Sequence, residues 1–259
     1  MEAIVLNLHK WDIHNHEQNK MMLDYICSNI ASRFNLYGLN GMPRRATIIE
    51  ALARYPCLTC VVEKLSEKTV KNEAVDPFYK ECHRLAVNIL VEELFYLLTR
   101  MGYKIAISTE MDLDYGKVDI LINLTNYGLS LKNATKRLII EVKTGNSISF
   151  SQIFRYLLDS KCNTIIVWRI RKRQVLVFNA QKLKPLLAEF VRMICLRAER
   201  LLSSKQIPSC QHVKNVSYQP SQEELQQAFE DFSEALVETL PTVLDIILKQ
   251  LGIIPKQNV

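Results

Sequence analysis

Glycine is scarce in this chain, at seven residues in 259, and no segment repeats or falls into low complexity. Collagen-like, linker-like and disordered classes are thereby excluded, and the 48% hydrophobic share suits an ordinary packed interior. No run approaches the ~20 uninterrupted apolar residues of a spanning helix. His9 and Lys10 closely follow the apolar start of the chain, so neither a membrane segment nor an export signal is expected, and the expected location is intracellular, in the cytoplasm. The seven cysteines (27, 57, 60, 82, 162, 195, 210) are an odd, scattered set. Only Cys57-Leu-Thr-Cys60 has ligand-like spacing, and one such pair cannot close a tetrahedral zinc site unless Cys82 and His83 complete it. Reduced, buried cysteines are the expected state.

The net charge of +6 is modest, but it is unevenly spread. Residues 161–205 hold eleven Lys/Arg against Glu189 and Glu199, a local balance of +9. Residues 221–259 hold seven acids against two lysines, a balance of −5. This asymmetry suits a nucleic-acid face set apart from an acidic packing or partner face. Within the basic segment, Arg169, Arg171, Lys172 and Arg173 fall within five residues and form a candidate phosphate-contacting turn.

Hydrophobic periodicity divides the chain into helical residues 1–75, a mixed core over 76–180 and helical residues 181–259. Residues 19–34 and 46–55 carry apolar positions at helical spacing, with turns at Asn40-Gly41 and Pro56. A long helix over 77–101 stops at Gly102. The period then shortens over 104–110, 117–125 and 136–143, with a turn at Asn126-Tyr-Gly, predicting three strands. A short helix over 149–159 and strands at 164–170 and 174–179 follow. An amphipathic helix spans 185–202, and Ser221-Gln-Glu-Glu224 is a capping box opening a helix toward Pro241, with a final helix ending at Gly252. The expected fold is α/β with a mixed sheet, flanked by N- and C-terminal helices.

One constellation carries chemistry. Glu141-Val142-Lys143 ends the apolar strand Leu138-Ile139-Ile140. Alternation along a strand puts Glu141 and Lys143 on one face and Val142 on the other, where Val142 offers its carbonyl as a further oxygen ligand. Asp119 interrupts the apolar strand Val118-Asp-Ile-Leu-Ile122, a costly place for a carboxylate without compensation. Two carboxylates holding a divalent cation beside a lysine are suited to phosphodiester hydrolysis.

The motifs Gly116-Lys-Val-Asp119-Ile, Leu-Ile-Ile-Glu141-Val-Lys143-Thr-Gly145 and Gln152-Ile-Phe-Arg-Tyr156 resemble the RecB-type branch of the PD-(D/E)xK nucleases. That branch carries Asp, (Asp/Glu)-x-Lys and Gln-x-x-x-Tyr in this order, with a metal-ligating histidine on an upstream helix. His83 lies on such a helix, 36 residues before Asp119. The resemblance spans about residues 78–177 and implies a restriction-endonuclease-like α-β-β-β-α-β core. It implies Mg²⁺ or Mn²⁺ held by His83, Asp119, Glu141 and the Val142 carbonyl, with Lys143, Gln152 and Tyr156 completing the active centre. Gln152 and Tyr156 would touch the DNA backbone or steady Lys143. Val118 replaces the proline of the name-giving motif, and Glu81 and Asp114 are further carboxylates within reach of the ligand role. The four-cysteine iron–sulfur staple of some relatives has no counterpart, so no iron–sulfur cluster is expected.

The expectation is a metal-dependent nuclease acting on DNA, as an exonuclease or endonuclease. The alternative is a junction-resolving or non-cleaving DNA-binding protein on the same fold. Leu225, Phe229, Phe232 and Leu236 form a stripe suited to a homodimer interface or to capping the core. No Gly-x-x-x-x-Gly-Lys-Ser/Thr loop is present, so any helicase partner would be a separate protein.

Overall fold

The computed structural model describes residues 15–55, 57–66, 77–103, 105–124, 136–145, 148–158, 162–204 and 221–253. The helices are α1 (His16–Phe34), α2 (Arg45–Arg54), α3 (Leu58–Ser66), α4 (Pro77–Arg100), α5 (Phe150–Leu157), α6 (Ala180–Ser203) and α7 (Gln222–Leu251). The strands are β1 (Ile105–Leu113), β2 (Gly116–Leu124), β3 (Lys136–Lys143), β4 (Thr164–Arg169) and β5 (Gln174–Asn179). The turns expected at Pro56 and Asn126-Tyr-Gly, the chain start and Cys210 lie outside the described residues.

The five strands form one sheet in chain order. Pairing is antiparallel except between β3 and β4, which run parallel, with α5 between them in the chain. Period-two alternation divides the apolar strand residues between two cores. Leu121, Ile139, Ile165 and Val167 meet α1, α2, α5 and α6 on one side. Ile120, Ile122, Leu138, Ile140, Val142, Ile166 and Trp168 meet α4 and α7 on the other. Covering on both faces explains why these strands read as continuous apolar runs. No helix among the described residues is long and apolar enough to cross a membrane.

The helix-end signals hold where local chemistry decides them. Ser221 and Glu224 form a reciprocal capping box, and Gly102 and Gly252 take positive φ of 79° and 76° where α4 and α7 end. Two expectations require correction. The C-terminal helix does not stop at Pro241, because α7 runs through it to Leu251. Phe232, Ala235 and Leu236 before the proline and Val243, Ile247 and Leu251 after it bury in the same core. That shared burial outweighs the ~3 kcal/mol a proline costs inside a helix. Helix α6 starts five residues before Pro185, because the Asn179 side chain accepts from the Gln181 and Lys182 amides and fixes an earlier start. The stripe on α7 also changes character: Phe232 and Leu236 are core residues, and Phe229 alone stays exposed among its aromatics.

Candidate active site

The candidate site forms where the β1–β2 ladder skips one position and the β2–β3 ladder ends. The β1–β2 ladder joins Thr109 to Ile120 and Met111 to Val118, leaving Glu110 and Asp119 facing across an unpaired position. Glu110 takes φ of 53°, a left-handed backbone uncommon for a non-glycine residue. The β2–β3 ladder ends at Ile120 and Ile140, one step before Asp119 and Glu141 would meet. Asp119 fills the opening: its Oδ2 accepts the Val142 N–H at 2.7 Å, and its Oδ1 lies 3.2 Å from His83 Nε2 on α4. Val142 buries its side chain in the α4–α7 core, as alternation requires.

Glu141 and Lys143 project toward α5. Lys143 Nζ donates to Glu141 Oε1 at 2.6 Å and to Gln152 Oε1 at 2.8 Å. Gln152 Nε2 donates to Glu141 Oε1 at 2.7 Å and to the Tyr156 hydroxyl oxygen at 2.6 Å. The Tyr156 hydroxyl lies 2.6 Å from Glu141 Oε2 and 2.7 Å from the Lys117 carbonyl, and its single proton serves one acceptor at a time. Gln152 and Tyr156 reach one carboxylate because they are a helical turn apart. Helix α5 is anchored by Glu50 on α2, which accepts from Ser149 Oγ at 3.2 Å and pairs with Arg155 at 3.5 Å.

The electrostatics concentrate negative charge at this point. Glu141 is only 3% exposed, and burial, then the nearby Asp119 charge, raises its carboxyl above the usual range against the opposing pull of Lys143. Burial alone would lower the His83 imidazole. The hydrogen bond and charge of Asp119, helped by Glu141 and Glu110, raise it above its ordinary value. Tyr156, 1% exposed, is raised by burial and by Glu141, so it stays a neutral hydroxyl.

His83, Glu110 and Asp119 each offer a ligand atom, and these atoms all lie within 4.8 Å of one another. An imidazole nitrogen with two carboxylate oxygens is a donor set that could hold a divalent cation. Glu141 is not in this trio; its oxygens engage Lys143, Gln152 and Tyr156, and the Asp119 charge acts on it.

Glu110 is the residue that sequence reading missed. Its signal was present, because the two-residue turn Asp114-Tyr115 fixes a hairpin register that sets residue 110 opposite 119. The expected extra carboxylates do not reach the site: Glu81 is exposed and pairs with Arg84 at 2.6 Å, and Asp114 pairs with Lys20 at 3.5 Å. Lys117 was also missed; its ammonium pairs with Glu110 and its carbonyl faces Tyr156.

The basic turn divides. Arg169 pairs in register with Lys143 across the parallel β3–β4 ladder, beside the candidate centre, and donates to Gln174 Oε1 at 2.9 Å. Arg171 acts electrostatically on Cys82, the neighbour of His83, and Lys172 is exposed. Arg173 pairs with Glu234 and Glu238 of α7. The turn between β4 and β5 is a 3₁₀ turn over Ile170–Lys172, with Ile170 buried.

Comparison with protein-family models, with curated proteins and with solved structures found no match to this chain.

Proposed function

We propose that the chain is a metal-dependent nuclease of the PD-(D/E)xK type, with a restriction-endonuclease-like core and DNA as its substrate. One observation supports this above all others. Asp119 sits in the opening between strands, bonded to Val142 and His83, while Glu141, Lys143, Gln152 and Tyr156 form one connected array next to it.

Each residue has a role that follows from its contacts. His83, Glu110 and Asp119 would hold Mg²⁺ or Mn²⁺, with Glu141 and the Val142 carbonyl as the further ligands that the family resemblance implies. When bound, the cation supplies positive charge against phosphate oxygens and makes water more acidic. Lys143, fixed by Glu141 and Gln152, presents an ammonium that orients the attacking water or meets developing negative charge. Gln152 and Tyr156 hold the Glu141 carboxylate in place, and so act as positioning residues. Arg169, beside Lys143, together with Arg171 and Lys172 receives the phosphate backbone. The test is DNA cleavage that requires added Mg²⁺ or Mn²⁺ and disappears in Lys143→Ala while DNA binding persists.

A further inference from the structure

Cys57 and Cys60 lie outside the site just described. Cys57 immediately precedes α3, and its carbonyl accepts the Val61 N–H at 3.2 Å, so it caps that helix. Its Sγ accepts the Cys60 N–H at 3.4 Å, and the two sulfurs are 3.4 Å apart. A sulfur at the start of a helix faces amide protons that favour negative charge. Arg197 of α6 adds a cation: its guanidinium donates to the Tyr55 carbonyl and interacts electrostatically with Cys57.

The other described cysteines differ. Cys27 and Cys195 are wholly buried, and burial pushes both thiols up to about 12, which leaves them inert near neutral pH. Cys57 and Cys60 are only half-buried. A structural zinc site needs four ligands, and among the described residues Cys82 belongs to the core on the opposite side of the sheet.

We propose that Cys57 and Cys60 form a thiol–disulfide exchange site whose substrate is a low-molecular-weight disulfide. The Cys57 thiolate attacks one sulfur of the disulfide RSSR, forming a Cys57–SR bond and releasing RS⁻, which takes up a proton. Cys60 gives its proton to solvent and attacks the Cys57 sulfur, forming the Cys57–Cys60 bond and releasing the second RS⁻. The protein loses two electrons and two protons, and RSSR gains both to become two RSH. This site does not depend on the nuclease reading.

The test uses the full chain and glutathione disulfide. After incubation at rising ratios of glutathione disulfide to glutathione and an acid quench, remaining thiols are alkylated and peptides weighed. The site predicts that Cys57 and Cys60 are the first of the described cysteines to lose alkylation and that a Cys57–Cys60-linked species, lighter by two hydrogens, accumulates and is reversed by excess glutathione. Cys60→Ser should trap glutathione on Cys57, whereas Cys57→Ser should lose the linked species without trapping glutathione on Cys60 to the same extent. Both cysteines staying alkylatable at every ratio, or stoichiometric zinc protecting them in the purified protein, would overturn the proposal.

Discussion

The Asp119 carboxylate accepts the amide proton of Val142 at 2.7 Å and bridges β2 to β3 where their ladder has ended. Asp119 therefore has a structural role as well as its proposed chemical one, and substitutions should separate the two. Asp119→Ala leaves the Val142 N–H without its partner, a loss worth about 1–3 kcal/mol if no water replaces it. Asp119→Asn keeps a carbonyl acceptor and removes the charge. Both variants should be inactive, and denaturant unfolding should find only the alanine variant clearly destabilised. Equal stability of the two would show that the Val142 bond contributes little.

The pH dependence has a definite sign. In the metal-free protein Glu141 and His83 both hold protons more tightly than in the unfolded chain, where their reference values are 4.5 and 6.5. For Glu141 the cause is burial, then Asp119; for His83, the pull of Asp119 overcomes burial. Each contribution to stability is fully present below the unfolded value and is lost as pH rises through the folded one. Metal binding requires the His83 ligand to be neutral, so metal affinity should rise as pH rises through the His83 titration. Thermal melts of wild type and His83→Ala between about pH 5 and 8, with and without Mn²⁺, would measure this. Wild type should show a metal-induced gain that grows with pH, and a gain independent of pH would contradict it.

Ligand assignments are separable by calorimetric titration with Mn²⁺. His83→Ala and Glu110→Gln each remove a member of the trio, so affinity should fall by at least the ~10–100-fold that outer-sphere changes alone cost. Glu81→Ala should bind as wild type does, because Glu81 is occupied with Arg84 on the exposed side of α4. Unchanged affinity in Glu110→Gln would return the third ligand position to Glu141.

Much of this site was legible in the sequence, and the exceptions share one cause. Asp119, Glu141 and Lys143 stood out as charges in apolar strands, whereas His83, Gln152 and Tyr156 entered through the family resemblance, helical spacing saying only that the last two face the same way. Glu110 required the register of the β1–β2 hairpin, which depends on where the turn falls. The continuity of α7 through Pro241 depended on burial against β-strands far away in the chain. The pairing of Arg173 with Glu234 and Glu238 spans more than sixty residues and left no local trace.

That pairing makes the basic turn uneven, which binding should reveal. Each phosphate contact removed should lower the slope of log K against log salt by about one unit. Arg171→Ala with Lys172→Ala should weaken DNA binding and flatten that slope. Arg173→Ala should leave the slope as in wild type, because Arg173 is engaged with α7. An equal effect from Arg173→Ala would show that its ion pairs open when DNA binds.

Cleavage itself tests the central claim. End-labelled single-stranded, duplex and branched DNA should be incubated with the purified chain, with and without Mn²⁺ or Mg²⁺, beside Glu141→Gln and Lys143→Ala. The account predicts metal-dependent cleavage of at least one substrate by wild type, none by either variant, and retained DNA binding by Lys143→Ala. Cleavage by folded Glu141→Gln or Lys143→Ala at the wild-type rate, or no cleavage by wild type of any substrate with either metal, would contradict it.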